Sequence, residues 1–160
     1  MKKLFALILA FCCMLSMAAC DEEKQTKISV YSLSGEHDYF RISNGVIVFG
    51  DTEEIVDGGE LEVTQEEIFS EITSYTVTLY VQTSDGKRTL LSNSVIDQTG
   101  GTLPVSGDVG KMSGQAPLFD YKLKETDEWT NNFWLELQTT GLSGQENTYQ
   151  LQLSVNEITS

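Results

Sequence analysis

From residue 28 onward the chain alternates apolar and polar positions with a period of two. That repeat puts successive side chains on opposite faces of a β-strand. Tyr149, Leu151, Leu153 and Val155 alternate with Gln150, Gln152, Ser154 and Asn156. Phe133, Leu135 and Leu137 alternate with Trp134, Glu136 and Gln138, and Tyr75, Val77, Leu79 and Val81 with Thr76, Thr78, Tyr80 and Gln82. Weaker strands are expected at residues 28–33, 61–64 and 119–123. Strands that bury one face and wet the other belong to antiparallel sheets.

Turn chemistry refines this pattern. Asn44-Gly45 between apolar runs predicts a two-residue type I′ hairpin that pairs Ile42 with Ile47 and Phe40 with Phe49. Paired residues share a face, so all four aromatic and aliphatic side chains fall on one side. Asp85-Gly86 predicts a second hairpin, but its return strand points Leu90 and Ile96 one way and Leu91 and Val95 the other. Such a strand is covered on both faces or interrupted by a bulge. Thr64-Gln65-Glu66-Glu67 fits a capping box and predicts one short helix near residues 65–72, with Ile68 and Ile72 on one side. Eight or nine short strands without βα alternation specify an all-β, antiparallel two-sheet sandwich. An immunoglobulin-like arrangement is one form of it, and a closed barrel is the alternative.

The first twenty residues follow another pattern. Lys2 and Lys3 precede an apolar run, LFALILAFCCML, and Ser16, Met17, Ala18 and Ala19 lead to Cys20. The run is too short for a bilayer-spanning helix, which needs roughly 20 apolar residues, and has the layout of an export signal. Met17-Ala18-Ala19-Cys20 resembles the lipobox of bacterial lipoproteins, with Met17 departing from the commoner small or aliphatic residue. The resemblance implies cleavage between Ala19 and Cys20, and a diacylglyceryl group on the Cys20 sulfur. Two acyl chains make a stable membrane anchor where one is marginal. The implied organisation is a removed signal peptide at 1–19, a lipidated cysteine and short acidic tether at 20–27, and a single β-sandwich domain at 28–160. The domain would then sit on the extracytoplasmic face of the cell membrane. Seven spacer residues reach at most about 25 Å, which keeps its partners close to the bilayer.

Charge and cysteine content narrow the chemistry. The 160 residues are 40% apolar, enough for one domain. Loss of residues 1–19 removes two lysines and no acid, leaving eight basic residues against 24 acidic ones, a formal charge of −16. That field repels phosphates, so nucleic acid is not an expected partner. Cys12 and Cys13 leave with the signal, so Cys20 is the sole remaining thiol. No internal disulfide, zinc or thiol chemistry is expected.

Candidate chemistry is sparse. His37, in Glu36-His37-Asp38, reads as a solvated turn residue, because neighbours in a turn point apart and no G-x-S-x-G elbow exists. Among cofactors, only calcium has a candidate ligand set, in Asp51-Thr52-Glu53-Glu54 and Asp57-Gly58-Gly59-Glu60, and neither follows the EF-hand pattern. Residues 107–113, GDVGKMS, miss the phosphate-loop spacing and read as a flexible turn. Residues 97–117 form a long glycine-rich stretch with at most a brief strand at 102–105, the kind of loop that is often functional. Trp134 should face outward unless the 65–72 helix or a loop covers it. With Trp129, Tyr121 and Tyr80 it is a candidate for ligand binding, since exposed aromatics stack on sugars or anchor protein partners. The expected function is a membrane-tethered, non-catalytic binding or accessory domain for an envelope protein or glycan. The alternatives are a small carboxylate-using envelope hydrolase and an inhibitor or immunity-type protective lipoprotein.

Overall fold

A computed structural model describes residues 28–50, 52–114 and 129–159. The strands are β1 (Ser29–Glu36), β2 (Phe40–Phe49), β3 (Glu54–Asp57), β4 (Glu60–Val63), β5 (Ile72–Thr83), β6 (Gly86–Ile96), β7 (Gly107–Asp108), β8 (Lys111–Gly114), β9 (Phe133–Gly141), β10 (Glu146–Gln152) and β11 (Ser154–Thr159). One sheet runs β11-β1-β2-β3-β8, with β4 joined to β2 and β7. The other runs β10-β9-β5-β6. All pairings are antiparallel. The inward side chains of both sheets meet in one core, where Phe40, Ile47, Leu79, Phe133, Leu135 and Leu137 are wholly buried. The protein is an all-β sandwich. Its connectivity is not the immunoglobulin one, because four successive strands stay in the first sheet before the chain crosses. No pairing among the described residues joins the sheets into a barrel.

The Asn44-Gly45 hairpin does not form. β2 runs straight through the pair, and the turn back from β1 lies at residues 37–39, closed by His37 N–H donating to the Phe40 carbonyl at 2.8 Å. Leu33 faces Gly45 while Gly35 faces Ile42, so β2 carries one extra residue there. Asn44 has φ 61°, the left-handed first position of a bulge. A two-residue hairpin and a one-residue bulge both shift the in–out parity by one. Phe40, Ile42 and Ile47 therefore share the core face as expected, with Phe49 packed at its margin, although the chain never reverses.

The bulge divides β2 between two partners, β4 alongside Phe40 to Ser43 and β3 alongside Val46 to Phe49. The turn from β3 to β4 is Asp57-Gly58-Gly59-Glu60, and it nests against the bulge. Gly59 has φ 74°, and a Cβ there would lie 2.2 Å from the Ser43 carbonyl oxygen and 2.5 Å from the Gly45 nitrogen. Only glycine fits such a position.

The expected helix is a single 3-10 turn, Glu66–Phe69. Its capping box is not made: the Thr64 hydroxyl donates instead to the Asp38 carbonyl at 3.4 Å, and Gln65 Nε2 to the same oxygen at 3.0 Å. The chain is already bonded to the β1–β2 turn, which leaves no run of residues for further turns. Ile72, expected on the helix, begins β5, and only Phe69 of the turn is buried. Among the described residues no helix is long and apolar enough to cross a membrane.

In β6 the two-way pattern resolves as a bulge. Leu79 faces Leu91 and Tyr80 faces Thr89, leaving Leu90 extra, and both leucines enter the core. Residues 107–113 are not a flexible turn: β7 and β8 occupy them, and the Asp108 carboxylate accepts from Gly110 N–H at 2.8 Å. Residues 97–106 lack regular structure yet are held. Asp97 N–H donates to the Thr73 carbonyl and Leu103 N–H to that of Ile72, each at 2.8–2.9 Å, and Val105 is buried. The single strand expected across residues 149–155 is broken at Leu153, whose N–H donates to the Phe133 carbonyl. There the chain leaves the second sheet and pairs with β1 in the first. Both inner faces look onto one core, so Leu151, Leu153 and Val155 stay buried through the crossing. The expected strand at 119–123 lies outside the described residues.

Candidate functional site

The outer face of the β10-β9-β5-β6 sheet gathers the most organised exposed chemistry. Cross-strand pairing sets Gln152, Trp134 and Tyr80 in one row and Gln150, Glu136, Thr78 and Ser92 in the next. The Asp85-Gly86 hairpin places Lys87 opposite Gln82, one step beyond Tyr80. From there its ammonium reaches 4.0 Å from the Tyr80 ring centre and 3.0 Å from Glu136 Oε2. Gln138 Nε2 donates to Glu136 Oε1 at 3.0 Å and Gln150 Nε2 to Oε2 at 3.1 Å. Farther along, Thr76 and Ser94 share a hydroxyl hydrogen bond of 2.8 Å, and Thr78 and Ser92 one of 3.3 Å.

This network fixes the state of its carboxylate. Burial pushes the Glu136 pKa up, but the hydrogen bonds from Lys87, Gln150 and Gln138 and the lysine charge outweigh it and hold the group below its ordinary value. Burial, then the nearby Glu136 charge, raises the Tyr80 phenol. At neutral pH the face thus presents a fixed anion matched by a fixed cation. Trp134 stands beside them, partly exposed, over an open hollow of about 310 Å³ shared with Tyr80, Gln82, Lys87 and Gln150. A second hollow, of about 190 Å³, lies farther along the same strands, near Gln138, Thr140 and Thr148.

The expected aromatic candidates are not brought together. Trp134 lies on this wet face, near the Thr83 end of β5, away from the 3-10 turn that leads into Ile72. Trp129 is on the core side, edge-on to Tyr31 at 5.0 Å, Phe49 at 5.5 Å and Phe133 at 5.7 Å. Tyr80, also on the wet face, is only 5% exposed, because Lys87 covers it. Tyr121, Ala19 and Cys20 lie outside the described residues. The Lys87–Glu136–glutamine network was not foreseen. The Asp85-Gly86 turn was the local signal for Lys87, whereas its meeting with Glu136 requires the β5–β9 pairing between distant segments.

The other candidates have structural employment. His37 stacks on Phe40 at 4.7 Å and accepts the Tyr39 N–H at Nδ1, at 3.3 Å. The Asp57 carboxylate, considered for calcium, accepts from Gly59 N–H at 3.0 Å, and Asp51 is outside the described residues. Among the described residues no three His, Cys, Asp or Glu side chains converge as metal ligands. The Thr99 hydroxyl, followed by the backbone N–H groups of residues 99–101, holds the Asp97 carboxyl below its ordinary pKa, shaping the start of the 97–106 segment. At that end a groove of about 560 Å³ separates the Phe69 turn from residues 102–106.

No family model, curated protein or solved structure matches this chain.

Proposed function

We propose that this protein is a lipid-anchored, extracytoplasmic binding or accessory domain, which holds an envelope glycan or protein on the outer face of its β10-β9-β5-β6 sheet. The observation that carries the reading is the Trp134–Glu136 network. An outward tryptophan stands beside a carboxylate that fixes two amides and an ammonium in place, a preorganised surface of the kind that recognises ligands. The anchor rests on residues 1–20, with Cys20 as the acylated residue and Ala19 before the cut.

The carboxylate-hydrolase alternative is less well supported by the same residues. A general acid needs a raised pKa, whereas Glu136 is held down and already accepts from three donors. Its role is that of a fixed acceptor.

The test is made in living cells. A photoreactive side chain replacing Gln82, at the rim of the Trp134 hollow, should crosslink a specific envelope neighbour. The crosslink should be lost on Trp134→Ala, and on Cys20→Ala, which detaches the domain. Intact mass of the purified chain should show a diacylated Cys20 as its first residue. An unacylated terminus would remove the anchor from the proposal, and the absence of any Trp134-dependent neighbour would remove the binding face.

A further inference from the structure

Resting on that reading of the face, we infer that its ligand is a linear, uncharged polysaccharide lying along β9. Trp134 is its stacking platform, and the Gln138 and Gln150 amides are its hydrogen-bonding rail.

The first reason is charge. The chain carries a formal −14, yet this face cancels its own central charges, with Lys87 and Glu136 3.0 Å apart. Around that pair, Thr76, Thr78, Ser92, Ser94, Gln138 and Gln150 offer hydroxyls and amides in register. An anionic polymer is repelled by the body, and a cationic one finds more counter-charge elsewhere on it. A neutral ligand rich in hydroxyls matches what is presented.

The second reason separates glycan from protein. A stable protein interface closes around an apolar centre with several buried anchors. Here one large ring is presented, since Tyr80 is sealed beneath Lys87. A single indole amid amides and hydroxyls suits a sugar ring, whose C–H face stacks on the aromatic plane while its hydroxyls reach the flanking groups.

The third reason is the Glu136 clamp. Each glutamine donates its Nε2 to Glu136, which turns its carbonyl oxygen toward accepting from a hydroxyl. Because the side chains are already ordered, less rotamer freedom is lost on binding. The two hollows lie along one line, with Trp134 beside one and Thr140 beside the other. From Trp134 to Thr140, at their far ends, is six residues of strand, about 20 Å. That span calls for several linked sugars.

The full-length chain, purified from cells in detergent, is titrated with cellohexaose, chitohexaose and maltohexaose, with hexagalacturonate as the anionic control. At least one neutral hexasaccharide should shift tryptophan emission saturably, and its disaccharide should bind about tenfold more weakly or worse. Trp134→Ala should abolish the shift, leaving the Trp129 emission unmoved, and weaken calorimetric binding at least about tenfold. Gln138→Ala and Gln150→Ala should each weaken it roughly threefold to tenfold, with Trp134→Phe keeping part of the affinity. Thermal unfolding of every variant guards against misfolding. Absence of saturable binding by all three neutral hexasaccharides, or equal binding of hexagalacturonate, overturns the inference. If the in-cell crosslink at position 82 then captures a protein in a Trp134-dependent way, the ligand class is wrong while the binding face stands. Loss of both signals removes both.

Discussion

The β10-β9-β5-β6 sheet keeps its strands for seven to twelve residues, with an outward face that is open and mostly polar around Trp134 and carries the exposed Ile96 at its far end. In the opposite sheet β1, β2 and β11 run for six to ten residues, but β3, β4, β7 and β8 are pieces of two to four arranged around the bulge in β2. Both sheets supply half of one core, but they do so differently. Long paired strands hold each other through repeated ladders, which frees their outer side chains for other work. Short strands depend on close backbone packing at their junctions, where there is little freedom to change a residue. The proposed binding face lies on the first kind of sheet, and the tightest backbone packing on the second.

The sharpest way to break this comparison is Gly59→Ala. Left-handed backbone strain and overlap with the Ser43 carbonyl together predict a loss of about 4 kcal/mol, read by urea unfolding. A loss under about 1 kcal/mol would show that the junction yields easily, and the contrast between sheets would fail. Glu136→Gln probes the other sheet with a smaller effect, roughly 1 kcal/mol at neutral pH. The folded-state pKa of Glu136 is depressed, so its contribution is fully present above the ordinary glutamate value of about 4.3. It fades as pH falls through the lower folded-state value. Wild type and variant should therefore converge in strongly acidic solution, and a gap independent of pH would contradict the assignment. The smallest effect belongs to Arg41→Ala. Arg41 and Glu62 are joined at 2.6 Å, but both side chains are about half exposed, so the loss should be at most about 1 kcal/mol and shrink in high salt.

What was legible in the sequence follows the same division. Alternation of Phe133 to Gln138 and of Tyr75 to Gln82 gave both the strand and its faces, because a long ladder obeys the period of two throughout. Residue order puts Trp134 on the outward side but leaves open whether the 65–72 helix or a loop covers it, and the structure leaves it partly exposed. At Asn44-Gly45 the apolar parity was right and the reversal was not, since a hairpin and a bulge leave the same imprint on the pattern. No strand is expected between the acidic runs 51–54 and 57–60, although Ile55 and Val56 extend β3 there, because a four-residue strand carries too little periodicity to stand out. The capping box at Thr64 failed to a competitor from outside the window, the Asp38 carbonyl. The clamp around Glu136 was hidden for a related reason. Periodicity tells which face a side chain occupies, whereas its neighbours depend on β5 pairing with β9, some fifty residues away.

β1 is not an edge strand: β2 lies on one side and β11 on the other, both antiparallel to it. Ladder hydrogen bonds stand perpendicular to their strands, so tension along the chain from a membrane-bound amino terminus would load two rows of them together. Rupture under such traction requires the bonds to slide in concert; they cannot be unzipped one after another. With the proposed lipid anchor in place, a sandwich built this way would resist drag on a bound partner.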